Sequence, residues 1–150
     1  MPPETGLTAI ARVIQLAVAP VFLLTGIGAL LSVLTSRLAR IIDRARALEI
    51  ALEAAAEAKR RDIETELRGL SRRARLINQA ISLVTTSALL VCAVIAALFF
   101  GVFFSLDVST PVGLVFIASM LALIVGLLAF LREVHVAIRT LRIGPPPRKM

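Results

Sequence analysis

Arg37-Leu38-Ala39-Arg40-Ile41-Ile42-Asp43-Arg44-Ala45-Arg46 opens, and Ser71-Arg72-Arg73-Ala74-Arg75 closes, a segment unlike the rest of the chain. Residues 37–75 hold eleven of the seventeen basic residues and seven of the ten acidic ones. On either side lie runs without any charged residue, at 13–36, 76–106 and 108–131. Each exceeds the roughly 18–20 residues that cross about 30 Å of hydrocarbon as a helix. A helix is also the form that satisfies its own backbone hydrogen bonds in lipid. The order of these runs predicts an all-α integral membrane protein with three transmembrane helices, and residues 37–75 as its large water-facing part.

Composition agrees with that reading. The chain is 58% hydrophobic with mean hydropathy +0.90, against roughly 45–50% apolar in soluble domains. The first run is too long for the roughly 7–15-residue core of a signal peptide and is read as a retained helix. Cys92 has no second cysteine to pair with, so a disulfide or metal role is excluded within one chain. The formal charge of +7 does not suggest nucleic acid, because no aromatic residues interleave with the basic ones for base stacking. Anionic lipid headgroups account for it better. The positive-inside rule puts residues 37–75 and the basic tail 132–150 in the cytoplasm, with the amino terminus and the Asp107 loop outside.

Taken in order, a short lead is expected to give way to helix near Thr8, with a kink before Pro20. Gly26, Gly28 and Ser32 offer a smooth face. Apolar residues then fall at Leu38, Ile41, Ala45, Leu48, Leu52 and Ala55, and again at Ile63, Leu67, Leu70, Ala74, Ile77 and Ile81. Spacing that alternates by three and four is a coiled-coil seam. Pairing 38 with 81, 41 with 77 and onward to 55 with 63 keeps the index sum at 118 or 119, which predicts a cytoplasmic antiparallel coiled-coil hairpin over 37–82. Its turn falls near Lys59 and Arg60, Asp62 caps the returning helix, and residues 37–58 project roughly 33 Å. The spans are then about 13–36, 83–106 and 112–131 of a single membrane domain, 1–150. Small rows at Ala88/Cys92/Ala96, Ala93/Ala97/Gly101 and Ala118/Ala122/Gly126 suit close helix packing. The third helix should continue inward to residue 143, before Gly144 and three prolines.

The chemistry this sequence offers is electrostatic. The hairpin register puts Asp43 near Arg75, with Arg40 and Arg44 beside it, as a charge network holding the arms together. Glu133 emerges from the third span at the depth of Arg37 and Arg40, and an ion pair there would tie that span to the hairpin base. Arg132, His135, Arg139 and Arg142 form a 3-4-3 stripe suited to lipid headgroups. His135 as a pH sensor is the less favoured alternative, since no carboxylate cluster or second histidine accompanies it. No Gly-rich nucleotide loop is present, and no ionisable residue falls in mid-span to serve proton coupling. Catalytic residues, metal ligands and cofactors are expected to be absent. Thr25, Thr85, Thr86 and Ser87 could line a pore, or could bond the carbonyls of their own helices.

Four stretches together resemble a known family: Ala19-Pro20-Val21-Phe22-Leu23-Leu24-Thr25-Gly26, the Arg37 to Arg46 run, Arg72-Arg73-Ala74-Arg75, and Phe130-Leu131-Arg132-Glu133-Val134. It is a family of small bacterial three-span integral membrane proteins catalogued as a domain of unknown function. The resemblance implies the same topology and a bacterial inner-membrane location, and it implies no catalytic residues. The expected function is that of a non-enzymatic scaffold, a homo-oligomer whose stalk meets a cytoplasmic partner or lipid. The alternative is an oligomeric channel or small-solute pore.

Overall fold

The computed structural model describes residues 6–104 and 106–140. These form three helices, α1 Gly6–Glu53, α2 Glu57–Phe103 and α3 Ser109–Thr140, with no strand among the described residues. All three are long and apolar enough to cross a membrane. Their outward faces are lipid-like: Phe22 is 74% exposed, Leu89 66% and Leu114 64%. A water-soluble protein would not leave so broad an apolar surface uncovered.

Helix α1 continues unbroken through Pro20, so one rod carries both the first apolar run and the first arm of the charged segment. Helix α2 does the same in reverse. It lies between the other two helices and packs against both. Its buried residues Leu70, Ile77, Val84 and Val91 recur every seven positions, as do Ile27, Leu34, Ile41 and Leu48 on α1. In the charged half, burying Ile41, Leu48 and Leu70 contributes about 1.5–3 kcal/mol each by removal from water. In the apolar half, Ile77, Val84 and Val91 gain mainly dispersion, because lipid tails are as apolar as their neighbours.

The register differs from the one expected. The antiparallel alignment of α1 and α2 brings together residues whose numbers sum to 110: Glu53 and Glu57 flank the turn, Arg44 bonds Glu66, and Arg37 and Arg73 share Glu133. The sum is therefore eight or nine below 118 or 119, a little more than one heptad, and the turn lies at 54–56, not at Lys59 and Arg60. A heptad seam slipped by seven residues still matches seam to seam, so apolar spacing could not choose between the two. Charge does: the expected register sets Arg44 level with Ala74 and Arg75, whereas the observed one sets it beside Glu66.

Asp62 accordingly lies inside α2 and caps nothing. The capping position belongs to Ala56, extended at φ −65° and ψ 151° with no side-chain hydrogen bond, while the N–H groups of Lys59 and Arg60 donate to its carbonyl. The arm from Arg37 to Glu53 is about 25 Å long, shorter than expected. Level with residues 13–36 of α1 lie roughly residues 74–97 of α2, rather than 83–106.

At the other end, Asp107 Oδ1 accepts hydrogen bonds from the Ser109 hydroxyl at 2.6 Å and the Ser109 N–H at 3.1 Å. The hydroxyl first and the N–H second hold the Asp107 carboxyl below the usual carboxylate range. Gly101 makes this turn possible, since a Cβ there would run into the Val108 side chain. At Gly126 α3 comes close to α2: a Cβ would lie 2.9 Å from Val84 Cγ2 and 3.2 Å from Leu83 Cβ.

Candidate functional site

Where the apolar runs meet the charged arms, the three helices converge on one carboxylate. Glu133 of α3 is 0% exposed. Arg37 of α1 donates from Nη1 to its Oε2 at 3.1 Å. Arg73 of α2 donates from Nε and Nη2 to its Oε1, at 3.2 and 3.0 Å. Both carboxylate oxygens are thereby occupied, and each guanidinium retains some solvent contact. The Arg37 guanidinium also lies 5.3 Å from the centre of the Phe130 ring, a cation–π distance.

Helix periodicity explains the convergence. Phe130 and Glu133 are three residues apart and share one face of α3. Arg37 and Arg44 are seven apart on α1, as are Glu66 and Arg73 on α2, so these four flank the apolar seam on one side. An open cleft of about 460 Å³ lies above the ion triad, with Arg37, Arg40, Arg44 and Arg73 in its wall together with Ile41 and Leu70.

Of the residues singled out in sequence, Arg37 and Glu133 are brought into direct contact, and Arg40 stands in the same cleft without an ion pair among the described residues. The network of Asp43 with Arg75 does not form. Counting Leu38 and Ile41 as seam positions, Asp43 falls on the outermost face of α1, and Arg75 on the outward side of α2. Both are exposed. Arg44 pairs instead with Glu66 at 2.8 Å, across exposed surface. Arg132 and His135 are exposed on α3, and His135 Nδ1 donates to the Leu131 carbonyl at 2.9 Å. The Arg139 side chain and Arg142 lie outside the described residues. Arg73 was missed from the sequence, because the expected register set it level with Ala45 and Arg46 and hid that it is level with Arg37.

The hydroxyls proposed for a pore divide. Thr25 and Thr86 donate to the Val21 and Ser82 carbonyls of their own helices. Thr85 is exposed, and Ser87 is buried with its oxygen unpartnered. Among the described residues, no group of His, Cys, Asp or Glu side chains is arranged to hold a metal ion.

The sequence pattern of a family described as a protein of unknown function, DUF2721, matches residues 17–143. The chain belongs to this family. The DUF2721 match takes in both arms and the ion triad, so the site lies wholly within the family's own region. No curated protein and no solved structure matches the chain.

Proposed function

We propose that this DUF2721 protein is a non-enzymatic scaffold of a bacterial inner membrane, which holds a short antiparallel coiled coil upright on the cytoplasmic face. The observation that carries this reading is the buried Glu133, bonded at once to Arg37 of α1 and Arg73 of α2. A triad of this kind joins all three helices at the base of the arms and fixes the arms relative to the spans.

The positive-inside rule supports the orientation, since eleven of the basic residues lie on the arms. With Arg37, Arg73 and Glu133 at one level, the hydrocarbon would begin just below them, near Ser36, Leu76 and Arg132. Phe99, Phe100, Phe103 and Phe104 then lie toward the outer surface. Gly28 and Ser32, one helical turn apart on α1, are exposed, and nothing approaches a Cβ built on Gly28 within 4 Å. Such a face is suited to a second copy, and the protein is read as a homo-oligomer. The exposed arms are the surface for a cytoplasmic partner.

Native mass spectrometry of protein extracted in mild detergent, paired with ion flux from reconstituted liposomes, tests this. A small oligomer without flux is expected. A ring of four or more subunits whose flux changes in Thr85→Val would replace the scaffold by a channel.

A further inference from the structure

We infer that the cleft above Glu133 is a binding site for one anionic phospholipid, with its phosphate among the arginines and an acyl chain in the groove between α1 and α3. This rests on the membrane reading and is independent of the scaffold role.

The charge balance is the first argument. Arg37, Arg40, Arg44 and Arg73 face the cleft. Glu133 balances one of them with both oxygens already engaged, and Glu66, outside the cleft, offsets Arg44. A surplus of two positive charges remains, and guanidinium N–H groups are matched to phosphate oxygens. Arg40 makes no ion pair among the described residues, which leaves its donors to a ligand.

The second argument is continuity with an apolar groove. Leu23, Gly26, Ile27 and Leu30 of α1 face Leu123 and Leu127 of α3 across a groove of about 290 Å³. On α3 the wall continues from Leu127 through Phe130 to Val134, so groove and cleft follow one interhelical seam, with the Arg37–Phe130 contact between them. Gly26 to Arg40 spans roughly 20 Å, about the thickness of one leaflet with its headgroups. A soluble phosphate would meet the arginines and leave the groove empty. A phospholipid fits both.

The test uses whole protein in micelles containing equal amounts of phosphatidylglycerol and phosphatidylcholine, read by native mass spectrometry. The wild type should retain phosphatidylglycerol in preference. The double variant Arg40→Gln/Arg44→Gln spares the buried triad and should lose at least about five-fold of that retention. Gly26→Leu places a side chain into open groove without touching a charge, and should lower retention comparably. Equal retention of the two lipids by the wild type would overturn the inference, as would insensitivity to the double variant. Loss in the double variant with none in Gly26→Leu, together with displacement of lipid by millimolar inorganic phosphate, would also overturn it and leave a simple anion site. The same spectra give subunit number, so the lipid site and the scaffold reading fail separately.

Discussion

A single carboxylate carries more of this structure than a chain with seventeen basic residues suggests. Glu133 is fully enclosed and bonded to two guanidiniums, whereas the Arg44–Glu66 pair leaves both side chains about half exposed. The two pairings have similar distances but different surroundings. Removing one member of a buried ion group strands the others, at a typical cost of about 3–5 kcal/mol. Arg37 and Arg73 keep some water, so the lower end applies: Glu133→Gln should destabilise the protein by about 3 kcal/mol. Arg44→Ala should cost less than about 1 kcal/mol, as exposed pairs do. Thermal unfolding of both variants in the same detergent measures the difference. Equal shifts would mean that the triad is no stronger than a surface pair.

At the scale of the helices, glycine separates two kinds of surface that look alike in sequence. Gly26 and Gly126 both belong to small-residue faces, yet a Cβ at Gly26 meets nothing within 4 Å and one at Gly126 meets Val84 and Leu83. Gly126→Ala should therefore force α2 and α3 apart and cost about 1–3 kcal/mol. Gly26→Ala should be neutral within the monomer, or stabilising by up to about 1 kcal/mol through helix propensity. The comparison is made by unfolding at matched detergent concentration, and a larger loss for Gly26→Ala would locate its partner in another copy of the chain. What the sequence could tell here was limited. Length, charge-free runs and three-four spacing disclose each helix and its apolar face. They do not disclose which small face is used inside the monomer, because both are compatible with close packing.

The whole molecule turns on the alignment of α1 with α2, and this was the part least legible in advance. A heptad pattern repeats every seven residues, so seam matching alone accepts any slip by a whole heptad. The tie is broken by features outside the seam: the turn at 54–56, the Arg44–Glu66 pair, and the level at which Arg37 and Arg73 both reach Glu133. The last also explains why Glu133 was anticipated with Arg37 but not with Arg73, since the α1–α3 relation did not depend on the hairpin register. Cysteine pairs decide between the alignments in a Cys92→Ser background. Leu48→Cys with Ile63→Cys should cross-link on mild oxidation, because the observed alignment holds these seam positions nearly level and a disulfide needs Cα atoms within about 7 Å. Leu48→Cys with Leu70→Cys, which a sum of 118 would make level, is offset by about a heptad, roughly 10 Å along the axis, and should remain reduced. Mobility shift on non-reducing gels, with membrane insertion checked for each variant, reads both pairs. Cross-linking of 48 with 70 and not 48 with 63 would restore the longer arm, move the turn back to Lys59 and Arg60, and separate Arg73 from Arg37 and from the proposed lipid site.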